Sequence, residues 1–215
     1  MRVVVSNMPP GMPDSRLPIA VLVSGSGTNL QALIEAAAEP GYGATIAVVI
    51  SDRPGIMALQ RAEAAGIATE VVAWDGDRER STEATCAAAT RHGARALVLA
   101  GFMRILAPLA LDRFPGAIVN THPALLPSFP GAHAVAGAIA HGVKLTGVTI
   151  HFVDEEVDHG PIIAQEAVAV DPADDERALQ ARIQQVEHRL YPRVIDALAR
   201  GAISVDGRIV RWEGR

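Results

Sequence analysis

The stretch LPIAVLVSGSGTNLQALIEAAA, Leu17–Ala38, sets an apolar run, a glycine pair and a helix-forming run one after another. LPIAVLVS has strand length and no polar alternation, which predicts a strand covered on both faces. NLQALIEAAA is helical in composition. The pattern then repeats outward. ATIAVVIS (Ala44–Ser51) is a second buried strand, MALQRAEAAG (57–66) a helix and IATEVV (67–72) a strand. WDGDRER (74–80) is expected to be a polar loop before a helix reaching about Arg91; ALVLA (96–100) is a strand, followed by a short helix from about Arg104. AIVN (117–120) is a strand, 133–140 a short helix, and LTGVTIHFV (145–153) and PIIAQEAVAV (161–170) are two more strands. Apolar strands separated by helical segments predict a Rossmann-like, doubly wound α/β fold, with a mostly parallel sheet and helices on both faces.

The last third departs from this pattern. Residues 171–201 predict one long helix, with acidic residues in its first turn and Gly201 just past its end. Leu179, Ile183, Val186 and Leu190 keep the spacing of one buried face, and Pro192 is expected to kink the helix. AISVDGRIVRW (202–212) predicts a small hairpin turning at Asp206-Gly207. No internal repeat or linker is found after residue 18. Residues 1–16, rich in Met and Pro, are expected to form a mobile arm, and residues 17–215 a single domain.

Composition narrows the function classes. Hydrophobic residues make up 49% of the 215 and charged ones 20%, which suits a compact protein with much buried structure. The net charge of −5 argues against a nucleic-acid partner, and no apolar run approaches the length of a membrane span. The single cysteine, Cys86, rules out an internal disulfide framework and makes a reducing cytoplasm the default compartment. The seven histidines show no H-E-x-x-H spacing, so no metal is expected. A homodimer is left open.

Three segments could carry chemistry. SGSGTNLQ, from Ser24, stands where a strand ends and a helix begins, a place where free N–H groups can meet an anion. Gly25 and Gly27 permit close approach, and Thr28 and Asn29 add polar groups; a tight turn without a ligand is the alternative. Leu30 stands where a dinucleotide fingerprint wants a third glycine, although Asp52 could mimic its ribose-binding acid. In NTHPALLPSFPG, Asn120–Gly131, Asn120 and His122 share one side of a strand while Thr121 points away. Pro123, Pro127 and Pro130 stiffen the connection beyond the strand; a pair that merely caps backbone groups is the alternative. In VDEEVDHGPI, Val153–Ile162, Asp158 is the carboxylate best placed to turn inward, beside the Gly160-Pro161 break. An Asn, a His and an Asp at strand ends suit acyl transfer. The carboxylate should raise the imidazole pKa, and amide and imidazolium can donate to a developing oxyanion. No serine or cysteine competes as nucleophile, which favours direct attack by a substrate amine.

SGSGTNLQ, LAGFMRIL (Leu99–Leu106), NTHPALLPSFPG and TGVTIHFVDEEVDHGPI resemble, in order, the phosphoribosylglycinamide formyltransferases, folate-dependent enzymes of purine synthesis. The resemblance runs from about Leu17 to the end. It implies transfer of a formyl group from 10-formyltetrahydrofolate to the amine of glycinamide ribonucleotide, with Asn120, His122 and Asp158 on catalytic positions. Asn120 would polarise the formyl oxygen, His122 would donate a proton and stabilise the oxyanion, and Asp158 would support His122. Gly27, Thr28 and Asn29 match the segment that holds the ribonucleotide phosphate. Gln184, Gln185, Val186 and Glu187 match a segment near its ribose. Met103, Arg104, Ile105 and Leu106, with Asp154, Glu155, Glu156, Val157, Asp158 and Asn120, match folate-contacting positions, and Arg78 aligns near them. His159 departs from the pattern, standing where relatives often carry a small residue. Formyltetrahydrofolate deformylase is the alternative within the same fold. A nicotinamide-dependent dehydrogenase or a nucleotide-binding module would rest on the glycine loop and Asp52 alone.

Overall fold

The computed structural model describes residues 3–4 and 16–213. Strands and helices run in the order β1 (Val3–Val4), β2 (Leu17–Val23), α1 (Thr28–Ala38), β3 (Ala44–Ser51), α2 (Met57–Ala64), β4 (Thr69–Val71), α3 (Arg78–Arg91), β5 (Ala96–Leu99), α4 (Leu109–Arg113), β6 (Ile118–His122), α5 (Ala134–His141), β7 (Leu145–Phe152), β8 (Ile162–Ala169), α6 (Glu176–Ala199), β9 (Ile203–Asp206) and β10 (Ile209–Trp212). Seven of the strands form one sheet in the order β4-β3-β2-β5-β6-β7-β8. Its first five strands are parallel, while β7 runs antiparallel to β6 and β8 antiparallel to β7. Every residue of β2 except Pro18 is buried, as its unbroken apolar run predicts for a strand covered on both faces.

Two groups of helices cover the sheet. Helix α1 packs on α2 and α6, α3 packs on α4, and both α1 and α3 touch β3. Right-handed crossovers place the first group and the second on opposite faces. No helix among the described residues is long and apolar enough to cross a membrane. Strands β1, β9 and β10 make a separate small antiparallel sheet. Apart from residues 3, 4 and 16, the expected N-terminal arm lies outside the described residues.

Three boundaries differ from expectation. Helix α3 takes in Arg78–Arg80, because the Asp77 carboxylate caps it by accepting from the Arg80 N–H at 2.9 Å. No helix starts at Arg104; α4 begins only after Pro108. Backbone groups before it are instead bonded to side chains of other elements. Met103 N–H donates to Ser24 Oγ at 2.9 Å, Ala107 N–H to Thr82 Oγ1 at 2.9 Å, and the Ile105 and Leu106 carbonyls accept from Arg78. The hairpin turns one residue later than expected. Asp206 pairs with Ile209, leaving Gly207 and Arg208 as the turn, with Gly207 at φ +60°. Helix α6 continues through Pro192, where a kink is expected, and the Pro192 carbonyl accepts from Tyr42 Oη at 2.8 Å.

Tyr191 couples α6 to the part of the sheet that carries the site. It is fully buried, and its hydroxyl lies 3.0 Å from both the Leu99 and Val119 carbonyl oxygens, in neighbouring strands β5 and β6. Tyr191→Phe should therefore lower unfolding free energy by about 1–2 kcal/mol, the value of a buried hydrogen bond. Urea denaturation should give an earlier midpoint at unchanged slope.

Candidate active site at the carboxyl end of the sheet

Strand β6 supplies the first two side chains. Successive side chains of a strand alternate between faces, so Asn120 and His122 share one side and Thr121 takes the other. Both Asn120 and His122 lie within β6, and the antiparallel register sets His151 of β7 directly opposite Asn120. His151 Nδ1 is 2.9 Å from the Phe152 carbonyl oxygen, which can only accept, so that nitrogen carries the proton. Its Nε2 lies 3.3 Å from Asn120 Nδ2, between that amide and the Asp158 carboxylate. This fixes the orientation of the Asn120 amide. His122 Nε2 donates in the same way to the Phe129 carbonyl at 2.8 Å, which directs Nδ1 toward Asp158 Oδ2 at 3.2 Å.

Asp158 arrives from the 153–161 loop between β7 and β8. Its backbone is left-handed, at φ +53°, a conformation that costs a non-glycine residue about 1–2 kcal/mol. Several contacts hold it there. Gly131 N–H donates to Oδ2 at 2.7 Å, and His151 Nε2 stands 3.7 Å from Oδ1. The loop is closed at its base by Phe152 N–H, which donates to the Pro161 carbonyl at 2.9 Å. Gly160 lies so close beneath that a Cβ there would meet the Phe152 oxygen at 1.8 Å. Only glycine fits.

Burial dominates the electrostatics of the pair. It pulls the His122 imidazole below its ordinary value, and the Asp158 carboxylate and Phe129 carbonyl, which act the other way, do not offset it. The carboxylate acts in the expected direction, but the net shift is downward: the side chain is only 5% exposed, and the charged form loses its hydration. Burial alone would raise the Asp158 carboxyl, but His151, the Gly131 N–H and His122 outweigh it and hold it below the usual carboxylate range. A neutral imidazole thus faces an ionised carboxylate across a gap that suits one proton.

The pair opens into a cavity of ≈ 390 Å³. Met103, Arg104, Ile105, Leu106, Asn120 and Asp154 through Asp158 all line it. Met103, Ile105 and Val157 are exposed hydrophobic side chains at its edge. Arg78 does not line it; its Nε lies 3.1 Å from the Ile105 carbonyl and its Nη2 2.6 Å from that of Leu106, so it holds the wall from behind. Arg104 is anchored by Asp52, Nε to Oδ2 at 2.7 Å, and Arg53 takes the rest of that carboxylate. Asp52 is consequently an internal anchor, unavailable to a ribose. Among the described residues, no cluster of His, Cys, Asp or Glu is arranged to hold a metal ion.

The glycine loop meets the same strand from the other face. Gly27, at φ +72°, is the N-cap of α1 and makes no side-chain cap, which leaves first-turn N–H groups open. Packing requires glycine here, because a Cβ would meet that of Ala58 at 2.6 Å. Asn29 Nδ2 donates to Glu187 Oε2 at 3.2 Å, and Thr121 Oγ1 donates to Glu187 Oε1 at 2.9 Å. Burial pushes the Glu187 carboxyl above the ordinary range, although both bonds act in the opposite direction. Asn29 Oδ1 is buried without a partner. Val186 belongs to the core face of α6 and Gln185 is exposed, so within Gln184–Glu187 it is Glu187 that joins the loop.

The structure therefore brings Asn120, His122 and Asp158 together and sets Gly27, Thr28, Asn29 and Glu187 behind them. Sequence reasoning missed His151 and the partnership of Thr121 with Glu187. A histidine inside the apolar run TGVTIHFV was a usable signal, but its partner depended on a register and strand sense that the run does not encode.

Comparison with known proteins gives the chain its relatives. Residues 17–195 match the model of the formyl transferase family. The chain is 45% identical over 202 residues to a phosphoribosylglycinamide formyltransferase of Mycobacterium tuberculosis, covering 94% of this chain and 92% of that protein. It is 42% identical to part of the trifunctional purine biosynthetic protein adenosine-3 of Gallus gallus, covering 89% of this chain; it spans only 19% of that longer protein. Among solved structures, glycinamide ribonucleotide transformylase 1 from Symbiobacterium toebii superposes with a TM-score of 0.89 at 42% identity, covering 92% of this chain and 94% of that one. The chain belongs to the formyl transferase family.

Proposed function

We propose that this protein transfers a formyl group from 10-formyltetrahydrofolate to the amine of glycinamide ribonucleotide, in purine biosynthesis. The observation that carries this reading is the buried His122–Asp158 pair, 3.2 Å apart beside Asn120, at the mouth of a cavity with an apolar edge. The apolar edge of the cavity suits the aminobenzoyl ring of a folate. The glycine loop, joined to it through Thr121, Glu187 and Asn29, suits a nucleotide monophosphate: open first-turn N–H groups meet the anion, and the Thr28 hydroxyl stands at the first position of the helix. Glu187 has acceptor capacity beyond its two bonds for ribose hydroxyls.

Each group has a definite part in the chemistry. The substrate amine attacks the formyl carbon; the new C–N bond forms as the carbonyl π pair moves to oxygen. Asn120 Nδ2, with one N–H turned to His151, uses the other on that oxygen. The amine then loses a proton to the Asp158–His122 pair, with the imidazolium that results held between the carboxylate and the Phe129 carbonyl. The pair returns this proton to N10 of the folate as the bond from N10 to the formyl carbon breaks. One proton is taken up and one released, so the pair ends as it began. The single buried thiol, Cys86, accords with a reducing cytoplasm as the compartment.

The test is to incubate the protein with 10-formyltetrahydrofolate, with and without glycinamide ribonucleotide. Amine-dependent release of tetrahydrofolate is expected; release without the amine substrate would identify a deformylase instead. Asp158→Asn and His122→Ala should each lower kcat by about 10²-fold or more, as loss of a proton-transfer group does. Circular dichroism should show both still folded, and near-normal turnover in either would contradict the mechanism.

Activity should also depend on pH in a particular direction. The pair must be free to accept a proton, so kcat/KM falls on the acid side. Both groups are held below their ordinary values, so the apparent pKa of that fall belongs to the pair and lies below 6.5, the ordinary imidazole value. An acid limb centred above it would count against the pair. Stability has the same sign, since the unfolded chain binds more protons there and unfolding becomes easier as pH drops below 6.5.

A further inference from the structure

We infer that Arg208, at the tip of the β9–β10 hairpin, is a positioning residue for Asp158, acting through His159. This inference rests on the formyl-transfer reading for its kinetic test, but its geometry stands apart from it. Asp158 is a non-glycine residue held in a left-handed conformation, and such a conformation persists only where the surroundings over-determine it. The base of the 153–161 loop is closed by the Phe152–Pro161 bond and the tight seat of Gly160, but those contacts lie beyond His159. One step further out, the loop is tied across by its own ends: His159 Nδ1 meets Asp154 Oδ2 at 2.8 Å. Arg208 then clamps this tie from outside the sheet. Its Nη2 donates to the His159 carbonyl at 2.6 Å, and its Nη1 lies 3.3 Å from His159 Nε2.

The residue that Arg208 grips stands immediately after Asp158. Rotation of the backbone there would swing the carboxylate away from His122 Nδ1 and Gly131 N–H. The hairpin turn that presents Arg208 is itself held in the three-stranded sheet with β1. The element therefore has its own support and is not an appendage of the loop. His159 occupies a position where a smaller side chain would leave the guanidinium nothing but the carbonyl to hold.

Two measurements test this. Amide hydrogen exchange on the intact protein needs no substrate: Arg208→Ala should increase exchange across residues 153–160 while leaving β6 protected. Unchanged protection of the loop would overturn the inference whatever the reaction proves to be. In steady-state assays with glycinamide ribonucleotide and 10-formyltetrahydrofolate, Arg208→Ala should lower kcat about fivefold, the effect of one exposed charge-assisted hydrogen bond. KM for the ribonucleotide should stay within about twofold, because the glycine loop lies on the other face of β6. Arg208→Lys, which keeps one donor for the carbonyl, should recover most of the loss. A wild-type kcat in Arg208→Ala, or a loss that lysine does not restore and that tracks a lower Tm, would overturn the positioning role. A wild-type protein inactive with these substrates would sink the formyl-transfer reading and leave the exchange experiment to decide the clamp.

Discussion

The two-residue period of strand β6 is the constraint on which the site depends. One strand end delivers Asn120 and His122 to the cavity and Thr121 to the opposite face, where it meets Glu187. A slip of one residue would exchange the two sets, burying Thr121 in the cavity and directing His122 at a buried carboxylate. Everything else near the site holds that strand in register or completes what it presents. Tyr191 bridges the carbonyls of β5 and β6, His151 orients Asn120 from the paired strand, and the 153–161 loop returns Asp158 to His122.

Two carboxylates, one half-buried and one buried, then behave differently. Asp158 is surrounded by an N–H donor and two imidazoles, which outweigh its burial, so its ionised form is favoured. Glu187 receives only two neutral donors in a deeper setting, and burial wins. The first can accept a proton during a reaction; the second is suited to holding Asn29 and Thr121 in fixed relation. The walls obey the same logic. Asp52 and Arg78 do not enter the cavity, yet each secures a stretch of the 103–106 wall, one by its side chain and the other by its carbonyls.

Much of this was legible from residues alone because the local signals were strong. Continuous apolar strands could only be buried on both faces, and a glycine loop after a strand marked where a helix begins. NTHP placed two polar groups on one side of a strand end. Signals failed where distant partners decided the outcome. The backbone of 103–107 looked helical from Arg104, but bonds to Ser24, Thr82 and Arg78 draw it into a loop. Asp52 looked like a ribose-binding acid until two arginines enclosed it.

The sequence by itself determined the α/β class and the order of the elements, and marked Asn120, His122 and Asp158 as candidates, because hydrophobic period and turn chemistry act over a few residues. Only the tertiary structure decided that β7 runs antiparallel to β6, which sets His151 opposite Asn120, and that Arg208 reaches the loop of Asp158. It also decided the direction of the His122 shift. A charge's hydration depends on everything packed around it, and packing brings together residues that no local pattern relates.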